Sequence, residues 1–219
     1  MTANPVTARL AILASGRGSN LQAILDAIAA GTLDASVVGV FSDKPEAQAL
    51  QRVPEALRWA RTPKSCGGRD AFDAALAEAI EAVRPDWVVC VGYMRILGAA
   101  FVQRFAGRLL NIHPSLLPKY KGLHTHQRAL EAGDAEHGAS VHFVTAELDG
   151  GPVIAQARVP VRPGDDAETL AARVLAVEHP LLLQVLRLAA AGRLAERDGR
   201  VFVDAQPVFT PLPLESAPA

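Results

Sequence analysis

The chain has 219 residues, half of them hydrophobic, with 22 basic and 23 acidic side chains. That length and apolar content suffice for a sizeable core, and the near-neutral balance argues against a general nucleic-acid or membrane-surface binder. The N-terminal ten residues hold no apolar signal-peptide core, and no uninterrupted apolar run is long enough to span a bilayer. Of the two cysteines, Cys90 lies in an apolar run and reads as a buried, reduced thiol. A cytoplasmic enzyme fits this pattern better than a disulfide-built secreted domain.

Residues 9–14 form a short apolar run that stops at Ser15-Gly16-Arg17-Gly18-Ser19-Asn20. Leu21, Ile24, Leu25 and Ile28 then recur at helical spacing, with Gly31 as a C-cap. Residues 37–41 are rich in β-branched side chains. Strand, glycine loop, helix, strand is a βαβ unit, for which a parallel, right-handed crossover is expected. Residues 46–65, broken by Pro54 and Pro63, admit a short helix or two. In 70–83, Phe72, Leu76, Ile80 and Val83 form one apolar stripe, and Asp70 caps the helix or lies in its first turn. Residues 87–91 are an all-apolar strand suited to the centre of a parallel sheet. A loop over 92–97, a helix over 99–105 and another central strand over 109–112 follow.

The pattern then changes. Residues 125–132 read as a helix closed by Gly133. Residues 140–144 and 153–161 read as an antiparallel pair, joined through 145–152, where Asp149-Gly150-Gly151 is a turn signal. Asp165 and Asp166 open a long helix with Leu170, Val174 and Val177 on one side. Pro180 is expected to kink or restart it, and residues 181–191 continue to Gly192. Residues after about 207 are expected to fray. The expected fold class is α/β: a Rossmann-like open twisted sheet, parallel in its N-terminal half, with mixed or antiparallel C-terminal strands and helices on both faces.

Two stretches carry chemistry. Gly16 and Gly18, after a strand, allow a tight turn and close backbone approach. Ser19 and Asn20 begin a helix whose free N–H groups and dipole favour an anion. The dinucleotide pattern would need glycine at Leu21, and a Walker loop would need Gly-Lys-Ser/Thr. A single phosphate suits the loop; a plain turn with a helix cap suits it equally. In Asn111-Ile112-His113, strand alternation sends Asn111 and His113 the same way. Pro114 restricts His113 to an extended conformation. An amide and an imidazole thus stand side by side at the carboxyl end of a strand, where open α/β sheets hold ligands. The amide can donate to an oxyanion and the imidazole can move a proton. The alternative is a pair of satisfied structural side chains.

Such a histidine wants a carboxylate to orient it. Asp149 is the candidate by residue type and chain flexibility, although its turn alone would explain an Asp-Gly. Asp86, Asp165 and Asp166 already have local roles in a turn and a helix start. His124, His126 and His142 could suggest a metal, but no Cys pair, H-E-x-x-H or suitably spaced carboxylate accompanies them. His137 reads as loop surface. No Gly-x-Ser-x-Gly elbow points to serine hydrolysis.

Five stretches occur in order: the glycine loop at 15–20, Gly92-Tyr93-Met94-Arg95-Ile96-Leu97, Asn111-Ile112-His113-Pro114-Ser115-Leu116-Leu117-Pro118, Gly122-Leu123-His124-Thr125-His126 and Glu147-Leu148-Asp149-Gly150-Gly151-Pro152. Through them the chain resembles the phosphoribosylglycinamide formyltransferases, a folate-dependent family of de novo purine synthesis. The likeness runs from residue 9 to residue 194 and is weakest between 47 and 68. The Asn-x-His-Pro stretch is shared by several formyltetrahydrofolate enzymes, and the glycine loop with Ser-Asn narrows the resemblance to the phosphoribosyl branch.

The resemblance implies transfer of the formyl group of 10-formyltetrahydrofolate to the amine of 5'-phosphoribosylglycinamide, by direct attack through a tetrahedral oxyanion and without a metal. By position, Asn111, His113 and Asp149 would be the catalytic trio, with Asp149 orienting His113 and favouring its charged form. Gly18, Ser19 and Asn20 would hold the ribonucleotide phosphate, and Glu178 its sugar. Arg69, Met94, Arg95, Ile96 and Leu97, with Asn111, would bind the folate, the 94–97 loop through its backbone. One formyltransferase domain would cover 1–219: a phosphate-binding parallel half over 1–113, a folate and catalytic half over 114–206, and a frayed tail over 207–219. The partners expected are small-molecule substrates, with no nucleic acid and no membrane, and the state a monomer or homodimer. Formyltetrahydrofolate hydrolysis would share the trio but should bring a regulatory domain before Arg9. A methionyl-tRNA formyltransferase should bring a C-terminal RNA-binding domain. A non-catalytic nucleotide-binding module would leave the trio without a role.

Overall fold

Short apolar runs build the molecule outward from β1 (Ala8–Leu13) in a computed structural model that describes residues 7–215. β2 (Ala35–Ser42) and β3 (Arg58–Ala60) extend from β1 to one edge, all parallel. β4 (Trp87–Cys90) and β5 (Leu109–His113) continue on its other side, again parallel. β6 (Glu136–Phe143) and β7 (Val153–Pro160) are then laid antiparallel on β5. Beyond them stand β8 (Leu194–Arg197), β9 (Arg200–Val203) and β10 (Gln206–Pro207), which form a small separate sheet, and β11 (Leu212–Pro213). The main sheet runs β11-β7-β6-β5-β4-β1-β2-β3. Helices cover both faces of this α/β sheet, as the sequence leads one to expect.

Strand alternation sorts the side chains into two cores. On one face Leu10, Ile12, Val89, Leu110 and Ile112 pack with Leu21 and Ile24 of α1 (Ser19–Ala29). On the other, Ala11, Leu13, Val88, Cys90 and Leu109 meet Phe72 and Leu76 of α2 (Arg69–Ala82) and Phe101 of α3 (Ala99–Arg104). Asn111 and His113 share the parity of Leu109, so they leave β5 toward the second face. Burial pushes the Cys90 thiol up to about 12, which makes it inert. α4 (Thr125–Glu131) follows β5 and is pinned to it where the Thr125 hydroxyl donates to the Pro114 carbonyl.

α5 (Ala167–Ala190) runs unbroken through Pro180, so of the expected kink or restart the restart does not occur. The proline removes the N–H that would bond the Ala176 carbonyl, at a cost of about 3 kcal/mol. Leu181, Leu182, Val185 and Leu186 are fully buried directly after it, and at roughly 1.5–3 kcal/mol each their burial outweighs that cost. The Asp166 side chain accepts from the Thr169 N–H and caps the other end. By length and composition α5 could cross a membrane, but here its apolar side packs against β6 and β7.

Three further differences follow from long-range pairing that local patterns do not encode. The 46–65 segment does hold short helices, single 3-10 turns at Gln48–Arg52, Glu55–Leu57 and Lys64–Cys66, but between them residues 58–60 form an unexpected edge strand. The tail, expected to fray from 207, instead pairs Leu212 and Pro213 with β7, and the Gln184 amide donates to the Pro213 carbonyl. His137, expected in a surface loop, is 1 % exposed on β6, because the strand begins at Glu136 and turns the next side chain inward. Residues 1–6 and 216–219, which bear part of the signal-peptide and tail readings, lie outside the described residues.

Candidate active site

β5 ends where the sheet changes from parallel to antiparallel, and its last two polar side chains meet a carboxylate there. His113 Nδ1 stands 3.5 Å from Asp149 Oδ2, and its Nε2 donates to the Tyr120 carbonyl at 2.9 Å. Both ring nitrogens therefore face oxygen. His113 is 6 % exposed, so these contacts are poorly screened. Asp149 Oδ2 also accepts from the Gly122 N–H at 2.8 Å. Asp149 adopts φ 46°, and a Cβ on Gly151 would lie 1.9 Å from the Phe143 carbonyl oxygen. Glycine at 151 thus lets the 145–152 turn fold back over β6 and present the carboxylate.

Asn111 is fixed from the neighbouring strand. His142 lies opposite it in the β5–β6 register, and Asn111 Nδ2 is 3.1 Å from His142 Nε2. His142 Nδ1 donates to the Phe143 carbonyl at 2.8 Å. Burial holds His142 below the usual imidazole range, so the neutral ring accepts one Asn111 amide hydrogen at Nε2 and leaves the second free.

The glycine loop stands at the end of β1. Gly18 has φ 75° at the start of α1, where no side chain caps the helix. The Gln22 N–H bonds the Gly18 carbonyl, so the N–H groups of residues 19–21 precede the first helical bond and are available to an anion. Asn20 Nδ2 donates to Glu178 Oε2 at 2.9 Å, and burial raises the Glu178 carboxyl against the pull of that amide. The 92–97 loop hangs from the same strand end: the Met94 N–H donates to Ser15 Oγ at 3.0 Å, and Ser15 donates to buried Asp43. Arg69 Nη2 donates to the Ile96 carbonyl at 2.8 Å.

One cavity of about 590 Å³ joins these parts. Its lining brings together Asn20 and Glu178, the Asn111, His113 and Asp149 side chains, and Met94, Arg95 and Ile96. A smaller recess of about 90 Å³ opens beside Asn111 and Asp149 and adds Leu97. Of the residues singled out from sequence, Gly18, Ser19 and Arg69 are not on these walls; the first two begin α1 and Arg69 supports the 92–97 loop from behind. Sequence reasoning missed His142 as the partner of Asn111, the Tyr120 carbonyl, and the Ser15–Asp43 pair. A polar residue just past a central strand's carboxyl end, as Asp43 is, was the available signal.

The three histidines weighed as a metal set are separated. His142 pairs with Asn111, His126 Nδ1 lies 3.1 Å from His137 Nε2, and His124 stands at the helix N-cap with φ 59°. Among the described residues no group of three or more His, Cys, Asp or Glu is arranged to hold an ion. Burial and the facing His126 bring His137 from 6.5 down to about 4. His137 is therefore neutral in the fold while its unfolded counterpart binds a proton below about 6.5. Its contribution to stability is complete above pH 6.5 and is lost as pH falls toward 4. Urea midpoints measured across that window should fall by the equivalent of about 2 kcal/mol, and His137→Gln should flatten the slope. An unchanged slope refutes the assignment.

Residues 8–186 match the family model described as formyl transferase. The chain is 50 % identical over 199 residues to the phosphoribosylglycinamide formyltransferase of Escherichia coli (strain K12), covering 90 % of this chain and 94 % of that one. The structure of phosphoribosylglycinamide formyltransferase from Coxiella burnetii superposes with a TM-score of 0.89 at 43 % identity, over 96 % of this chain and all of that one. A formyltetrahydrofolate deformylase from Pseudomonas syringae pv. tomato is more distant, at 28 % identity and TM-score 0.79, over 90 % of this chain and 66 % of its own.

Proposed function

The chain belongs to the formyl transferase family, and we propose that within it the chain transfers the formyl group of 10-formyltetrahydrofolate to the amine of 5'-phosphoribosylglycinamide. The observation that carries this reading is one cavity lined together by Asn20 at the start of α1 with Glu178, by the Asn111–His113–Asp149 trio and by Met94, Arg95 and Ile96 of the 92–97 loop. Two small molecules can meet there at one carbon.

The substrate amine attacks the formyl carbon, a C–N bond forms, and the carbonyl electrons pass to oxygen. Asn111 offers its free amide hydrogen to that oxyanion, and His113, oriented by Asp149, supplies a second donor. His113 Nε2 is engaged by the Tyr120 carbonyl, so the formyl oxygen takes this hydrogen as Tyr120 gives it up. Collapse of the intermediate breaks the bond to the folate N10. The amine loses a proton and the departing nitrogen gains one, with His113 and water as carriers. No covalent enzyme intermediate and no metal is needed, so the rate gain rests on positioning and charge stabilisation. Gly18, Ser19 and Asn20 hold the phosphate, Glu178 the sugar hydroxyls. Arg95 and Leu97 offer the folate their backbone groups, since the Met94 N–H and the Ile96 carbonyl already have protein partners.

Hydrolysis, with water in place of the amine, is the rival, because it would use the same trio. The polar pair Asn20 and Glu178 favours transfer, since water needs neither. Formyltetrahydrofolate consumption followed spectroscopically should require the ribonucleotide and persist in excess chelator. Turnover without the ribonucleotide argues for hydrolysis, and loss on chelation that zinc restores argues for a metal.

A further inference from the structure

α2 carries a carboxylate that the transfer chemistry does not use. Asp73 is 7 % exposed, and a carboxylate so buried requires partners. Its Oδ2 accepts from the Gly98 N–H at 2.9 Å, and its Oδ1 faces Arg95 Nη2 at 3.6 Å. Among the described residues Asp73 is the carboxylate within ion-pair reach of Arg95. The Arg95 guanidinium also lies over the Phe72 ring, 4.8 Å from its centroid. One turn earlier on the helix, Arg69 holds the Ile96 carbonyl.

Arg69, Phe72 and Asp73 are spaced i, i+3, i+4 and so share one face of α2. That face grips residues 95, 96 and 98, while Ser15 holds residue 94 from the other side. A Cβ on Gly98 would stand 2.9 Å from Asp73 Oδ2, so any side chain at 98 would press on this carboxylate. Between these anchors lie the Arg95 and Leu97 backbone groups, beside the small recess that also reaches Asn111. A loop held at both ends has little order left to gain on binding, and such preorganisation converts directly into affinity.

We propose that Asp73 is a positioning residue for the folate co-substrate, fixing the 95–98 backbone on which the folate lies without touching the reacting atoms. This rests on the formyl-transfer reading. The test compares wild type with Asp73→Ala and Asp73→Asn, by steady-state kinetics in both substrates and by calorimetric titration with tetrahydrofolate. Asparagine keeps an acceptor for the Gly98 N–H and loses the charge opposite Arg95. The alanine variant should raise the folate KM and the tetrahydrofolate Kd about tenfold or more, as expected for losing a hydrogen bond to a charged group. Its kcat and ribonucleotide KM should stay within about twofold of wild type. The asparagine variant should fall between, and it carries the test alone if alanine does not fold. Equal weakening of both substrates, an unchanged folate KM, or a fall in kcat at constant folate KM overturns the proposal. If wild type consumes folate without the ribonucleotide, the transfer reading fails, yet the tetrahydrofolate titration still decides the role of Asp73.

Discussion

His113→Ala should reduce formyl transfer by about 10² or more, mainly in kcat, with both KM values little changed. The imidazole is the group that can both stabilise the oxyanion and move a proton, and its two nitrogens are already aligned between Asp149 and Tyr120. Alanine removes both capacities and leaves the Asp149 carboxylate without one of the two imidazoles it faces, His142 Nε2 remaining 3.6 Å from its Oδ1. Asp149 keeps the Gly122 N–H, so the turn should persist and the folded state should survive with a modest loss of stability. Thermal unfolding and tetrahydrofolate titration of the variant separate a lost catalyst from a lost fold. Near-normal turnover by a folded variant would end the case for His113. Asn111 should retain part of the stabilisation, because its amide is set by His142 rather than by His113. The residual rate should therefore stay above that of the uncatalysed reaction.

Much of this arrangement was written in local patterns. Alternation in 109–113 gave the common direction of Asn111 and His113, and both line one cavity. The apolar stripe of Phe72, Leu76 and Ile80 gave α2, and all three are fully buried. What local patterns could not supply were pairings across distance. His142 comes to Asn111 through the β5–β6 register, 31 residues away. Asp149 reaches His113 through a turn whose sharpness depends on the contact between Gly151 and Phe143. His137 looked like a loop residue because neither neighbour announces a strand, and its inward direction is set by β7 alongside. Pro180 does not restart α5 because its local backbone cost is outweighed by the burial of the leucines that follow it. The candidate site was legible where its chemistry sits on a strand end and illegible where it depends on two strands meeting.

Gly18→Val should weaken ribonucleotide binding about 10²-fold while leaving folate binding within about threefold. Two independent obstacles arise at this position. The backbone has φ 75°, a conformation that a β-branched residue resists at a cost of about 1–2 kcal/mol. A Cβ there would also stand 2.8 Å from the Ala49 side chain and 2.9 Å from its backbone. Ala49 cannot retreat freely, because its N–H donates to the Gly16 carbonyl and Arg52 donates to the Arg17 carbonyl. The strain must therefore be relieved by the loop itself, which shifts the N–H groups of residues 19–21 away from the phosphate they are proposed to bind. Losing one or two hydrogen bonds to a charged group, at about 1.5–3 kcal/mol each, accounts for the predicted loss. The folate loop hangs from Ser15, before the altered turn, and its other anchors lie on α2, so it should feel little of the displacement. Calorimetry with the ribonucleotide and with tetrahydrofolate, on the same preparation, reads the two effects separately. Equal losses would mean that the glycine loop supports the whole site and does not specifically hold the phosphate.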